Sequence, residues 1–312
     1  MYLKDIIRGV LKLERNEYEE LKREIEELKK EKDYWIKEIR DLETFYIRKY
    51  PGPYLEFEVH LSEHCNLNCK GCDHFSPLAE KGFADIDIFK KDFYRMSELF
   101  GECVKSINLL GGEPLLNENI CEFLVVARNS FPFSTTEIRL VTNGLLLESM
   151  KSNFWETCKK QNIHIYITKY PINLDYNKLF DLANRQNVYI GFYDPVEGDK
   201  ELYRVPLKLE GDMDPKRSYY KCPCANVCCF LKEGRLYTCT LVPNIEHFMK
   251  FFGVNFEISD EDSIDIYKAT DKNEIFEFLS KPIPFCRYCD TESKAYGIKW
   301  TISEKKIDEW MV

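Results

Sequence analysis

The residues best suited to chemistry in this sequence are its cysteines, thirteen in 312 residues, and they are clustered. The stretch His64-Cys65-Asn66-Leu67-Asn68-Cys69-Lys70-Gly71-Cys72 carries three of them with spacing C-x3-C-x2-C. Three thiolates on one tight loop can hold three corners of a cubane iron-sulfur cluster without help from elsewhere in the chain. The fourth iron is then open, and a vacant coordination position can take a substrate or cofactor. Zinc is the rival reading, because structural zinc wants four ligands and His64 or His74 could complete a tetrahedron.

Two further motifs carry polar groups of a useful kind. Gly111-Gly112-Glu113-Pro114 sets two residues without Cβ beside a carboxylate, so a ligand can approach the backbone closely and Glu113 can meet a cationic group. Val141-Thr142-Asn143-Gly144 supplies a hydroxyl and an amide suited to ribose hydroxyls. Alone, each motif also reads as an ordinary turn.

A second cysteine constellation holds Cys222, Cys224, Cys228, Cys229 and Cys239, followed by the C-x2-C pair Cys286 and Cys289. A hairpin turning at Gly234, with arms Phe230-Leu231 and Leu236-Tyr237, returns Cys239 to an upstream cysteine, and the late pair closes a four-thiolate site. Cys222 with Cys239, Cys286 and Cys289 is the favoured set, Cys224 satisfies the same spacing, and Cys228 is an alternate. Zinc competes here too, since four thiolates with a C-x2-C pair suit a zinc ribbon. Cys103, Cys121 and Cys158 are isolated on helix-like segments and read as small core hydrophobes.

The elements that must position these groups follow from periodicity. Residues 55–61 alternate apolar and polar, and Ser106 to Leu110, Ile138 to Thr142, Ile163 to Thr168 and Val188 to Tyr193 read as further strands. Between them, Asp85 to Phe100, Glu118 to Asn129, Leu146 to Gln161 and Asp175 to Gln186 read as helices. Such alternation implies parallel strands with right-handed crossovers, in an open sheet or a barrel. The cysteine loop, the Gly-Gly turn and the Thr-Asn turn then fall at C-terminal ends of consecutive strands, where parallel α/β folds place their sites. Lys169, Tyr170, Tyr193 and Asp194 sit at later strand ends and could line the same cavity. His60 reads as a strand residue, and His164, His247 and His64 lack the spacing of catalytic pairs.

The first 50 residues differ. Leu11, Glu14, Tyr18, Leu21, Ile25, Leu28, Lys32, Trp35, Ile39, Leu42 and Tyr46 step alternately by three and four, with no glycine or proline between Leu11 and Tyr50, and the pattern stops at Pro51-Gly52-Pro53. That predicts one long helix with a coiled-coil seam that dimerises or docks a partner protein, or else packs one stripe on its own domain. The expected organisation is a helix over 1–50, a core over 54–205 and a smaller cysteine-rich domain over 206–312.

Composition narrows the function. With 44% hydrophobic residues the chain can build a core, and a formal net charge of −9 with interleaved signs provides no basic footprint for nucleic acid. No apolar run approaches the roughly 20 residues of a membrane span, and the start lacks the apolar region of a secretory signal. A cytoplasmic location is expected, where clustered thiols point to metal rather than disulfides.

The cysteine loop after the first strand and the Gly-Gly-Glu-Pro turn after the second resemble the radical S-adenosylmethionine (radical SAM) superfamily over residues 54–205. The resemblance implies a partial (β/α)6 TIM-like barrel and a [4Fe-4S] cluster on Cys65, Cys69 and Cys72, with SAM chelating the open iron. It places Gly111, Gly112, Glu113 and Pro114 near the methionine ammonium and Thr142 and Asn143 near the ribose. The family often has an aromatic residue where Gly71 stands, which shifts the expected adenine contact to Phe75 or elsewhere. Reductive cleavage of SAM, fed by a flavodoxin or ferredoxin type reductant, would give a 5′-deoxyadenosyl radical that abstracts hydrogen from substrate. Cys222 to Cys239, with Gly234 between, is similar to the opening of SPASM and twitch extensions, and the shorter twitch form with one auxiliary [4Fe-4S] cluster fits better. The segments CNLNCKGCDHFSPLAE, ITKYP and PNIEHF resemble radical SAM proteins of polysaccharide biosynthesis, which favours a small polar substrate such as a sugar or nucleotide-sugar. A peptide-modifying enzyme and a non-catalytic cluster scaffold or electron-transfer partner are the alternatives.

Overall fold

The structure is a computed structural model that describes residues 18–32, 34–36, 39, 52–193 and 199–311. The chain divides into two compact units, Met1–Ile47 and Arg48–Val312. In the first, the described residues are helical, and the seam positions Tyr18, Leu21, Ile25, Leu28, Trp35 and Ile39 are all exposed. Leu11, Glu14, Leu42 and Tyr46, which complete the predicted seam, lie outside the described residues.

The second unit is built on a parallel sheet. Strands β1 (Leu55–Ser62), β2 (Val104–Gly111), β3 (Glu137–Thr142), β4 (Ile163–Ile167) and β5 (Ile190–Phe192) pair in sequence order, all parallel. Helices α1 (Ile86–Phe100), α2 (Ile120–Ser130), α3 (Ser152–Lys160) and α4 (Tyr176–Gln186) make the crossovers. The local reasons are visible in α1. Asp85 caps it by accepting from the amides of Asp87 and Ile88, Phe89, Phe93, Met96 and Phe100 recur on its buried face, and Gly101 at φ 51° ends it.

Register sorts the two faces of the sheet. Phe57 lies against Ile107, Val59 against Leu109, and Leu140 against Ile165, and these apolar residues form the main core with the helices. The alternate positions, Glu56, Glu58, Ser106, Asn108, Arg139 and Tyr166, are polar, so the other face is a polar wall.

The remainder departs from the expected three-part organisation. The predicted hairpin exists as β7 (Cys229–Lys232) and β8 (Arg235–Tyr237), with Phe230 opposite Tyr237 and Leu231 opposite Leu236. Its turn residues Glu233 and Gly234 both take positive φ, as a two-residue hairpin requires. However, β7 pairs in parallel with the free edge of β1, and β9 (Ile264–Asp265) adds to β8. The described sheet is therefore open, with order β5-β4-β3-β2-β1-β7-β8-β9, and residues 206–312 extend the core sheet instead of forming a detached domain. The physical reason is that β1 is the edge of the five-strand sheet, and its unpaired backbone groups are satisfied by β7. A second hydrophobic core does exist on this side, centred on Tyr219, Ile245, Phe248, Phe285 and Trp310, beside helices α5 (Pro215–Lys221), α6 (Leu241–Phe252) and α7 (Lys272–Leu279). Strands β6 (Glu201–Arg204) and β10 (Ala295–Lys299) form a separate antiparallel pair.

Candidate active site

The C-terminal ends of β1, β2 and β3 bring the three predicted motifs together. Ser62 at the end of β1 is in register with Gly111 at the end of β2. Beyond it the amide of Gly112 donates to Ser62 O at 2.7 Å and that of Glu113 to His64 O at 3.0 Å. A Cβ on Gly111 would stand 2.3 Å from Ser62 O, and one on Gly112 would stand 2.2 Å from His64 C and O. The sequence reading gave the space beside these glycines to a ligand. In the structure the chain's own backbone takes it, although both residues still line the cavity.

Glu113 is completely buried and does not line that cavity. Its Oε1 accepts from Thr142 Oγ1 at 2.7 Å and Leu115 N at 3.1 Å, and its Oε2 from Asn143 N at 2.9 Å. Burial pushes its carboxyl up to about 7 against the pull of these three donors. Glu113 thus organises the Thr142-Asn143 turn here, and Pro114 is buried in the short 3₁₀ turn that follows. Asn143 extends the chain of contacts, with Nδ2 donating to Asn66 Oδ1 at 2.7 Å inside the cysteine loop. Thr142 and Asn143 both face the cavity. Phe75 does not. It is fully buried against Phe248 and Trp310 in the second core, which removes it as an adenine contact.

Cys65, Cys69 and Cys72 all line one cavity of about 760 Å³. Burial pushes the Cys65 thiol up to about 12 and raises Cys69 and Cys72 as well. Uncharged buried thiols of this kind lose their protons only to a metal that replaces them. His74, offered as a zinc ligand, is committed elsewhere, its Nδ1 lying 2.8 Å from His60 Nε2 and 3.0 Å from Thr240 Oγ1. Three thiols on a rigid loop facing a chamber that also exposes Gly111, Gly112, Thr142 and Asn143 fit a cluster with one open iron.

The last residues of the chain hold this loop, which sequence reasoning missed. Trp300 Nε1 donates to Cys69 Sγ at 3.1 Å, Trp310 Nε1 to Cys72 O at 2.8 Å, Lys70 N to Thr301 O at 2.9 Å and Ser303 N to Asn68 O at 2.9 Å. Nothing in the spacing of those residues signals a contact more than 230 positions away.

The histidines form networks, again without a sequence signal. Glu63 accepts from His247 Nε2 at 2.9 Å and lies 3.3 Å from His60 Nδ1, and burial lowers His60 to about 4. His164 Nδ1 lies 2.7 Å from Glu137 Oε1, which Tyr166 also engages at 2.8 Å. His64 Nδ1 approaches Ser62 Oγ at 3.1 Å. Of the late strand-end candidates, Tyr170 and Tyr193 line the cavity, Lys169 does not, and Asp194 lies outside the described residues.

In the second constellation, burial raises the thiols of Cys222's neighbours Cys239, Cys286 and Cys289, and each of these also feels the charge of Cys222. Cys228 is influenced by Glu58 and Asp73 after burial, and it lines the large cavity, as Cys222 does not. Cys224 Sγ is bonded to Tyr203 OH at 3.1 Å. Among the described residues, no three His, Cys, Asp or Glu side chains are close enough to share a single ion. Of the isolated cysteines, Cys158 is buried in the main core and Cys103 and Cys121 pack half-buried against it.

The chain is similar to several known proteins. Residues 55–188 match the family described as a 4Fe-4S single cluster domain. Curated relatives include GTP 3',8-cyclase of Sulfurimonas denitrificans, 23% identical over 51% of this chain and 46% of that protein. Another is GTP 3',8-cyclase of Moorella thermoacetica, 30% identical over 34% and 33%. The matched segments thus span less than half the length of these relatives. Solved structures that overlap the chain include BtrN in complex with AdoMet and 2-DOIA, with TM-score 0.48 and 16% identity over 77% of this chain and 94% of that one. AdoMet-bound anSMEcpe overlaps with TM-score 0.45 and 14% identity over 76% and 83%. The matches over residues 55–188 support the reading of this region as a radical SAM core.

Proposed function

We propose that this enzyme cleaves SAM reductively and removes a hydrogen atom from a small polar substrate of sugar size, free or nucleotide-linked. The observation that carries this reading is the convergence of three loop thiols and two strand-end turns on one chamber with a polar far wall. Its volume lies within the range of small-molecule sites, about 300–1,000 Å³. Cys65, Cys69 and Cys72 would hold the cluster, Gly111 and Gly112 would border the methionine end of SAM, and Thr142 and Asn143 the ribose. When bound and reduced, the cluster and SAM supply the hydrogen-abstracting radical.

The chain's own residues do the rest. The Glu113 carboxylate fixes the Thr142-Asn143 turn, and the Trp300 and Trp310 indoles fix the cysteine loop. Arg139, on the far wall, is held by Glu137 and Glu56 through Nε at 2.6 Å and Nη1 at 3.7 Å, so its charge is already matched within the protein. A triphosphate, as the named substrate of the curated relatives carries, would find Glu58 and Asp73 on the same walls, which argues for a less anionic ligand.

Cys222, Cys239, Cys286 and Cys289 would hold a second, twitch-type [4Fe-4S] cluster. Tetrahedral zinc, with bonds of about 2.3 Å, would draw four sulfurs to within about 4 Å of one another, whereas a cubane spreads them wider. Oxidation of the substrate, with this cluster as electron acceptor, is the outcome such a pair of sites suits. The test is anaerobic incubation of the reconstituted protein with SAM and dithionite, with 5′-deoxyadenosine measured by chromatography. No 5′-deoxyadenosine above the Cys65→Ala, Cys69→Ala, Cys72→Ala background would overturn the reading.

A further inference from the structure

The helix of the first unit carries an apolar stripe that the function proposed above does not use. Tyr18, Leu21, Ile25, Leu28, Trp35 and Ile39 each keep between 45% and 63% of their surface exposed. A continuous line of large apolar groups facing water marks an interface. The stripe has heptad order, with Tyr18, Ile25, Lys32 and Ile39 at a and Leu21, Leu28 and Trp35 at d. Isoleucine at a with leucine at d favours two strands over three or four.

The charges beside the stripe select what covers it. Glu17, Glu24 and Glu31 hold the g positions, and Lys22, Lys29 and Ile36 the e positions. In a parallel in-register pair, g of one heptad faces e of the next heptad on the other helix. That sets Glu17 against Lys22 and Glu24 against Lys29, and symmetry repeats each contact. In an antiparallel pair g faces g and e faces e, so glutamates would meet glutamates and lysines would meet lysines. Lys22 Nζ lies 5.8 Å from the centroid of the Tyr18 ring, beside the stripe it would flank. Lys29 Nζ lies 2.9 Å from Glu26 Oε1 in its own helix, an exposed pair that exchanges partners at little cost. Ile36 is exposed and widens the stripe instead of pairing. Lys32 is the charged seam residue among the described ones. A single charged a residue costs stability but fixes register and strand number. In register, its long stem lies along the seam while the ammonium reaches out to Glu31 of the second copy.

We propose that a second copy of this chain covers the stripe, the two helices pairing in parallel and in register, so that the protein is a two-stranded homodimer. This goes beyond the function proposed above and does not depend on it.

The experiment is sedimentation equilibrium of the full chain after anaerobic reconstitution, in low salt. The expected result is two protomers per particle for the unaltered chain and one for Leu21→Asp/Leu28→Asp, at equal iron content. Glu24→Lys or Lys29→Glu alone turns two symmetric attractions into repulsions and should raise the dimer dissociation constant about tenfold. The two changes together should restore it. The mass of the unaltered chain needs no variant, so a misfolded variant leaves the proposal testable. One protomer per particle for the unaltered chain, or three or more, would overturn it. So would an undiminished dimer in Leu21→Asp/Leu28→Asp, single reversals without effect, tighter association in Glu24→Lys, or no recovery in the double reversal.

Discussion

Replacing Gly112 by alanine tests how the two strand-end motifs are built against each other. The added Cβ would lie 2.2 Å from His64 C and O and 2.7 Å from Cys65 N. Relaxed nonbonded carbon contacts begin near about 3.5 Å, so the loop carrying Cys65 must retreat by about 1.3 Å. The obstructing atoms are backbone, which leaves no side-chain rotation to relieve the clash. The retreat stretches Gly112 N to Ser62 O and Glu113 N to His64 O, now 2.7 and 3.0 Å. Two weakened hydrogen bonds at about 0.5–1.5 kcal/mol each and overpacking at about 1–3 kcal/mol sum to about 2–6 kcal/mol. Anaerobic reconstitution should then show about four fewer irons per chain than the unaltered protein, with the melting temperature lowered. Gly82→Ala is the control, since the nearest atom to its Cβ is Glu63 Cγ at 3.3 Å, an overlap of only about 0.2 Å. Full iron and an unchanged melting temperature in Gly112→Ala would refute the packing argument.

Other outcomes follow from the same geometry. Trp300→Phe removes the indole N–H from Cys69 Sγ, and loss of a donor to a cluster ligand should make the reduction potential more negative; a redox titration followed by electron paramagnetic resonance checks this. Glu113 has its carboxyl raised to about 7, so the folded state binds a proton that the unfolded chain releases near 4.5. The stability from this group is full below 4.5 and lost as pH rises to 7, on the order of 3 kcal/mol, and Glu113→Gln should flatten that slope in urea melts of the apo chain. If the helical seam dimerises, sedimentation should give two protomers per particle for the full chain and one for a chain beginning at Gly52. Equal numbers of protomers would remove the dimer.

Much of the core was legible in the sequence for physical reasons that act locally. The alternation in residues 55–61 and the spacing of Phe89, Phe93, Met96 and Phe100 each encode a buried face, and the five strands and four helices fall where that periodicity puts them. The hairpin at Gly234 was also legible, because a two-residue turn needs backbone freedom that glycine supplies. Phe75 shows the limit. The glycine at position 71 made it a candidate for the adenine contact, but its side chain turns into a core with Phe248 and Trp310 from the far end of the chain. The attachment of β7 to β1 was equally invisible, since pairing between residues 57 and 229 depends on a free sheet edge and not on any local pattern.

The sequence by itself determined the chemistry: a C-x3-C-x2-C loop, a Gly-Gly-Glu-Pro turn and a Thr-Asn turn at the ends of consecutive strands. Residue type and spacing suffice there because thiolate geometry and strand period are short-range properties. Only the tertiary structure decided how those parts are held and what lies opposite them. It made Glu113 an internal strut, placed Trp300 on Cys69, and set Glu58 on the chamber wall with Asn108 behind it as a donor. Those outcomes depend on burial and on long-range packing, which set the cost of each polar group and which no single stretch of sequence contains.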